Sequence, residues 1–427
     1  MTIMPTTAEQ DEPRDRRISA FLRGDFSSSP HVERARQLVP VLRERASRQS
    51  GLPRLLPETV EDLKEAGLFK MLQPRRYGGA ETTPIESFEV TTILAEGDPS
   101  VGWVHGVTGI HHFHLGMFDD RAQQDIWGRD DSVLVSSPYM PQVAQRVEGG
   151  FRISGGWSFA SGSDYCDWAL LGANIENEPR PAPGPVGSHV FLIPRSDYDV
   201  VENWDVSGLK ATGSNDIIVS DAFVPDYRTL TWNEVHEGKG PGLAVNTDLL
   251  YRLPFFQVFS RATQAPTSLG ALQGMADALV EFSKRKKRNP KDPAMTLAIA
   301  EARSFVSEAK CRLYANYAAL IAEAEGKTLL TERQLNEFRF QSAIIPARAA
   351  RYGTELYRLA GGSGVYNSES FGRYMTDLLA CSTHATNNYQ ARAIDWIGPE
   401  MDASGADWEQ VPFGVVAKPA LHAQEAL

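Results

Sequence analysis

Cysteine is scarce. Cys166, Cys311 and Cys381 are the only three in 427 residues, with no Cys-x-x-Cys pair and no Cys/His spacing of a zinc module, which excludes a disulfide framework and a small zinc site. Positive charge is also short. With 43 Lys and Arg against 54 Asp and Glu the formal charge is −11, so a polyphosphate backbone would be repelled. The one basic run, Lys284-Arg285-Lys286-Lys287-Arg288, reads as a solvated helix end, where cations complement the dipole, and nucleic acid is not an expected partner. No apolar run reaches membrane-spanning length, and the N-terminus carries acids where a secretory signal would need an apolar core. No membrane partner and no export are expected, and a reducing cytoplasm suits the free thiols. The Gly-x-Gly-x-x-Gly fingerprint of a βαβ dinucleotide fold is missing too, so the chain lacks a recognisable NAD(P)H domain.

What remains is an ordinary soluble composition, 42% hydrophobic and 23% charged, on a chain long enough for two or three domains. Residues 1–30 mix Pro, Asp, Arg and Ser and read as a flexible, partly disordered arm. Residues 31–130 carry helical spacing, with Leu56-Pro57-Glu58, Thr83-Pro84 and Asp98-Pro99-Ser100 as helix starts. Residues 131–240 change to short alternating runs such as Val133–Val135, Phe151–Ser154 and His189–Ile193, which predicts a central β-domain. Residues 241–427 return to long helices suited to a four-helix bundle that also supplies an oligomer interface, with a Thr331/Gln334 capping box and a kink at Pro346. The fold class is therefore α+β, mostly α.

Three stretches carry candidate chemistry. Gly155-Gly156-Trp157-Ser158-Phe159-Ala160-Ser161-Gly162 is too rich in Gly and Ser for an ordinary strand; it reads as a flavin seat with Trp157 and Phe159 as walls and Ser158 or Ser161 as hydrogen-bonding groups, or as a sandwich turn around a core Trp. Residues 103–114 hold Trp103, His105, His111, His112 and His114, a concentration far above nine histidines in the whole chain. His111 and His114 share a helix face, yet no third ligand follows at fixed spacing, and no metal is expected. Ala360-Gly361-Gly362-Ser363-Gly364 is a Gly-rich turn between helices whose N–H groups suit a phosphate or a ribose.

Taken together, Trp157-Ser158-Phe159-Ala160-Ser161-Gly162, Gly109-Ile110-His111, Gly208-Leu209-Lys210-Ala211-Thr212-Gly213-Ser214 and Ala360–Gly364 with His384 downstream resemble, in order, the motifs of flavin-dependent monooxygenases on the acyl-CoA dehydrogenase fold, including the oxygenase component of 4-hydroxyphenylacetate 3-hydroxylase and secosteroid phenol hydroxylases. The resemblance runs from about residue 32 to the end. It implies an N-terminal helical domain, a central β-sandwich or barrel, a C-terminal four-helix bundle and a homotetramer.

The resemblance also implies chemistry. Acyl-CoA dehydrogenases need a carboxylate base, and neither Ala380–Asn388 nor Arg252–Phe259 contains one; His384 stands where the monooxygenases keep a histidine. The implied reaction is hydroxylation of a phenolic or other small aromatic substrate by O₂ through a C4a-hydroperoxyflavin, with reduced FMN or FAD delivered by a separate NAD(P)H:flavin reductase. An N- or S-oxygenase on the same scaffold, or an acyl-CoA dehydrogenase with a displaced base, are the alternatives. The resemblance gives His111 the substrate oxygen and makes Ser137 a serine lining the site, a position that also suits a plain turn serine. Ser161, alone or with Ser158, would hold the N5 hydrogen and His384 the oxygen end or the proton relay, the two histidines being open to exchange of roles, and an imidazole titrating near neutrality suits proton transfer. Arg252, or less readily Arg261, would face an anionic reduced flavin. One departure stands out: Thr376-Asp377 replaces the Arg-Asp that the family usually places upstream of the histidine.

Overall fold

The computed structural model describes residues 14–49, 51–179 and 187–401. Six helices come first: α1 (Arg14–Leu22), α2 (Pro30–Gln49), α3 (Pro57–Glu65), α4 (Pro84–Gly97), α5 (Pro99–Leu115) and α6 (Asp120–Trp127). The disorder expected of residues 1–30 does not hold for residues 14–22. Ile18 and Phe21, three apart, bury one face of α1; Phe21 stacks on Phe26 and Arg14 forks onto Asp248. Residues 1–13 lie outside the described residues.

α5 is the axis of this half. Asp98 ends α4 and N-caps α5 by accepting from the Ser100 N–H at 2.8 Å, so the two helices turn sharply onto each other. Nearly every side chain of both is buried, the glutamates Glu86 and Glu89 of α4 and the four histidines of α5 included. Small residues set the closeness: a Cβ on Gly270 of α9 (Gln264–Arg285) would stand 2.1 Å from the Thr92 carbonyl of α4.

Eight strands follow: β1 (Leu134–Ser136), β2 (Gln142–Val147), β3 (Gly150–Ala160), β4 (Cys166–Ile175), β5 (His189–Pro194), β6 (Asp199–Val201), β7 (Asn215–Pro225) and β8 (Thr229–Thr231). They form one sheet in the order β6-β7-β3-β2-β4-β5-β8, with β1 and β2 parallel to β4 and the other pairs antiparallel. Alternation along β3, β4, β5 and β7 turns Phe151, Ile153, Trp157, Leu171, Phe191 and Ile217 into a core of their own.

The remaining helices are α7 (Trp232–Glu237), α8 (Phe255–Ala262), α9, α10 (Pro293–Ala324), α11 (Glu332–Ala343), α12 (Ile345–Ala360), α13 (Phe371–Ser382) and α14 (Tyr389–Met401). α9, α10, α12 and α13 pack on one another as a four-helix bundle, with α9 also lying along α4. The Thr331/Gln334 capping box is present on α11. Pro346 does more than kink a helix. It lacks an N–H to continue the ladder, so α11 stops, Ile344 serves as hinge, and Pro346 occupies the tolerated first turn of α12. Among the described residues no helix is long and apolar enough to cross a membrane, and no group of three or more His, Cys, Asp or Glu is placed to hold a metal ion.

Candidate active site

β3 ends in an irregularity. Its register against β7 shifts between Trp157 and Ala160, and Phe159 takes φ 68°, a conformation that costs a non-glycine residue free energy and recurs at functional sites. The result is an outward ring: Phe159 is 67% exposed and faces Trp204 edge-on at 6.2 Å between centroids. Two residues on, Ser161 turns inward and is buried. Its carbonyl accepts from Ser136 Oγ at 3.3 Å, and its Oγ accepts from Trp103 Nε1 at 3.1 Å and bonds Ser214 Oγ at 2.7 Å.

Ser214 belongs to a second loop, Gly208–Ser214, sewn to the first. The Gly162 N–H donates to the Thr212 carbonyl at 2.8 Å and Ser163 Oγ to the Gly213 carbonyl at 3.0 Å. Gly213 holds φ 52° and leaves no room for a Cβ, which would lie 2.1 Å from Asp164 Oδ2. The far end of this loop is fixed on the bundle, where the Leu209 N–H donates to Asp377 Oδ1 of α13 at 2.6 Å.

α13 ends at Ser382, and His384 N-caps the short turn after it. Its Nδ1 accepts from the Thr386 N–H at 3.2 Å, which places the ring proton on Nε2. The ring meets Trp103 edge-on at 5.7 Å, so the indole touches both Ser161 and His384. Beside it, Gln264 Nε2 lies 3.4 Å from His384 Nδ1 while Gln264 Oε1 is buried with no hydrogen-bond partner. Burial lowers the His384 pKa to about 4.

Two turns along α5 from Trp103 lies His111. Its Nε2 is hydrogen-bonded to Ser137 Oγ, and its Nδ1 lies 3.0 Å from Tyr139 Oη, which in turn lies 2.9 Å from His114 Nδ1. Ser136, which supports Ser161, and Ser137, which meets His111, are adjacent, so the two clusters share one strand end. Tyr139 has a single proton for two imidazoles. His114 Nε2 is buried without a partner among the rings of Phe118, Trp232 and Phe255; a lone pair there costs less than an orphan N–H. This assigns His114 Nδ1–H to Tyr139, the Tyr139 proton to His111 Nδ1, and an Nε2–H to His111. Burial first, then the charges of His114 and His112, hold the His111 pKa well below the usual imidazole range, and burial alone lowers His114 to about 3. The expectation of an imidazole titrating near neutrality is therefore corrected for His111 and His384: both are neutral rings at pH 7.

Several other expected site residues lie elsewhere. Trp157 is fully buried in the sheet core, its Nε1 donating to the Gly172 carbonyl at 2.9 Å, so it is the core Trp and not a ligand wall; the alternation that turns it inward turns Ser158 outward into solvent. Arg252 is exposed in an open cleft of about 540 Å³ with Arg14, Arg75 and Arg76, whose lining includes neither His111 nor His384. Arg261 is fully buried, but its guanidinium is held by Gln257 and lies over Phe338 of α11, and burial lowers its pKa to about 10. Gly361 and Gly362 are exposed at the end of α12; the nearest side chain to Gly361 is Arg288, and nothing lies within 4 Å of a Cβ on Gly362. Tyr139, Thr212, Ser214 and Gln264 are site-shaping residues that motif reading did not single out, and Trp103 and Asp377 were noted without a role in the site. Thr212 and Ser214 stood inside a quoted motif, and Tyr139 is two residues past Ser137; nothing local marks Gln264.

The residues that are present fit a reduced flavin: an open aromatic face at Phe159, a supported buried hydroxyl at Ser161, and an unpaired buried amide oxygen at Gln264 beside His384. Comparison with known proteins agrees. The family models for the N-terminal and C-terminal domains of acyl-CoA dehydrogenase match residues 34–127 and 262–389. The chain is 34% identical to the flavin-dependent monooxygenase oxygenase subunit HsaA of Rhodococcus jostii, over 84% of this chain and 94% of that one. It is 28% identical to the FADH₂-dependent resorcinol hydroxylase oxygenase component of a Rhizobium species, over 85% and 93%. The crystal structure of 3-HSA hydroxylase from Rhodococcus sp. RHA1 superposes with a TM-score of 0.83 at 31% identity, covering 90% of this chain and 99% of that one. With these relatives and domain matches, the chain belongs to the oxygenase components of flavin-dependent monooxygenases built on the acyl-CoA dehydrogenase fold.

Proposed function

We propose that this enzyme hydroxylates a small phenol, taking reduced FMN or FAD from a separate NAD(P)H:flavin reductase. The observation that carries the reading is the bonded pair His111–Ser137, joined through Ser136 to the Ser161 cluster, with no carboxylate between Ala380 and Asn388. Reduced flavin, when bound, supplies the electrons that activate O₂, one oxygen atom going to the ring and the other to water. Ser161 would hold the flavin's N5 edge, Phe159 would cover a ring face, and His384 would present its Nε2–H at the oxygen side. His111, fixed as an Nε2–H donor to Ser137 Oγ, would turn the Ser137 hydroxyl proton toward the substrate oxygen. That favours the phenolate and raises electron density on the ring carbon that is oxygenated, without either imidazole having to charge. Arg252 and the Gly361-Gly362 turn keep at most a role toward remote ligand groups or a neighbouring subunit. A homotetramer fits the large apolar side chains left open on the C-terminal helices and their connections, among them Leu297, Val365, Tyr366 and Ile394.

The test combines the purified chain, a flavin reductase, NADH, ¹⁸O₂ and a panel of para-substituted phenols. The expected result is a catechol carrying one ¹⁸O atom, with no NADH oxidation when the reductase is left out. Quantitative conversion of O₂ to H₂O₂ with every phenol, alongside oxygenation of an amine or a sulfide, would move the assignment to an N- or S-oxygenase.

A further inference from the structure

Five buried groups form a line whose direction follows from its two ends. Trp103 Nε1–H can only donate, and it donates to Ser161 Oγ at 3.1 Å. The Leu209 carbonyl can only accept, and Thr212 Oγ1 lies 3.0 Å from it. Were the Thr212 proton turned elsewhere, two lone pairs would face each other across that contact, so the proton goes to Leu209. Ser214 Oγ, 2.7 Å from Thr212 Oγ1, must then be the donor to Thr212. By the same step Ser161, 2.7 Å from Ser214 Oγ, must be the donor to Ser214. Each hydroxyl has one proton, and all three are spent. Ser161, Thr212 and Ser214 are buried to 7%, 1% and 4% exposure, so the order is shielded from water. What Ser161 has left for a ligand is one lone pair and nothing to give.

We propose that Thr212 and Ser214 are positioning residues that polarise Ser161 into a pure hydrogen-bond acceptor, so that the site selects reduced over oxidised flavin. The inference rests on the reading that Ser161 faces the flavin N5 edge. Reduced flavin carries hydrogen on N5 and donates to such an acceptor; oxidised flavin has a bare N5 lone pair, which the Ser161 oxygen repels. A chain that must collect reduced flavin from another protein and release the oxidised form after each turnover gains from that polarity at no cost in new contacts.

The experiment is a pair of affinity measurements on the full-length enzyme: fluorescence titration with oxidised FMN and FAD in air, and anaerobic titration with the dithionite-reduced forms. The readout is the ratio of the two dissociation constants. Ser214→Ala frees the Ser161 proton to point at N5, and the preference for reduced flavin should shrink by about 3- to 10-fold, mostly through tighter oxidised flavin, the span expected of one hydrogen bond. Thr212→Val should act in the same direction, and Ser214→Thr, which keeps the hydroxyl, should restore the wild-type ratio. On a Ser161→Ala background, Ser214→Ala should have no further effect on the ratio, which separates polarity from simple loop damage. If Ser214→Ala and Thr212→Val leave the ratio unchanged while Ser161→Ala alters it, the line of hydroxyls is overturned and the Ser161 reading survives. If Ser161→Ala leaves it unchanged as well, both fall.

Discussion

At the scale of single residues the site is a matter of proton bookkeeping, because buried hydroxyls and neutral imidazoles leave few ways to place hydrogens. Tyr139 decides which nitrogen of His111 is protonated. Tyr139→Phe should release that constraint, let the His111 proton move to Nδ1, and turn the Ser137 hydroxyl proton onto His111 Nε2 and away from the substrate oxygen. The loss of one hydrogen bond to a charged acceptor is worth roughly 1.5–3 kcal/mol. 4-Nitrophenol reports it directly, since its phenolate absorbs in the visible: the wild type should bind the anion and lower the bound phenol's apparent pKa, and Tyr139→Phe should raise it again. Equal spectra for the two proteins would mean that Tyr139 does not set the tautomer. A second consequence concerns pH. Since burial pushes His111 well below the imidazole range and His384 to about 4, turnover should not rise with an ionisation near 6.5; a rise that tracks the pKa of each phenol tested is the expected profile.

How far the residues could be read from sequence follows from the same facts. Ser161, His111, Ser137 and His384 stand in local motifs with chemically distinctive side chains, and the structure brings Ser161 and His384 onto the same indole. Trp157 was misplaced because period-2 alternation alone does not reveal which face of an eleven-residue strand is the core, and the bulge that exposes Phe159 falls just after it. Arg252 ends a 3₁₀ turn, Leu249–Arg252, and is exposed, which no periodic pattern reports. Trp103 and Gln264 reach the site only through the packing of α5 and α9.

At the scale of elements, the Gly208–Ser214 loop is the joint between sheet and bundle. One end supports Ser161; the other is seated on the last turns of α13, immediately before His384. The seat is tight, for a Cβ on Gly208 would stand 2.1 Å from the Thr376 carbonyl. Gly208→Ala should therefore lift the loop from α13, cost about 1–3 kcal/mol in stability by overpacking, and uncouple Ser161 from His384. The measurable sign is a larger share of O₂ released as H₂O₂ with a good substrate, together with a lower melting temperature; full coupling in a folded Gly208→Ala protein would show the joint to be dispensable. Asp377 is the other half of the seat, and burial raises its pKa to about 7 despite the neighbouring Arg373. The replacement of an Arg-Asp pair by Thr376-Asp377 thus leaves the acid in place as a clamp on Leu209. The elements themselves were largely legible, since proline, caps and hydrophobic spacing are local signals. The joint was not, because a contact between residues 208 and 376 has no local signature.

At the scale of the whole molecule, α5 makes folding depend on neutral imidazoles. His105, His111, His112 and His114 are each at most 1% exposed, and burial lowers their pKa values, to about 4 for His105 and about 3 for His112 and His114. The sign follows from linkage. An unfolded histidine takes a proton as pH falls through about 6.5, whereas these four stay neutral in the folded chain, so their contribution is fully present above 6.5 and is lost as pH drops toward 4. Asp377 and Glu96 work the other way: burial raises both to about 7, so the folded state holds protons that the unfolded chain releases, and stability from them grows as pH falls from 7 toward 4. With His384, also lowered to about 4, the imidazoles outnumber the two acids raised to about 7. Each uncompensated proton is worth roughly 1.4 kcal/mol per pH unit, so the net effect is destabilisation on acidification. The melting temperature should fall steadily between pH 6.5 and 5, well before ordinary carboxylates titrate. His112 offers the cleanest check, because neither ring nitrogen makes a well-formed hydrogen bond and the ring packs edge-on against Trp127 at 5.4 Å. His112→Phe keeps a flat ring there and removes one titrating group. It should leave the melting temperature at pH 8 little changed and raise it at pH 5, flattening the slope by about one proton; parallel pH curves for variant and wild type would show that the buried imidazoles of α5 do not govern acid stability.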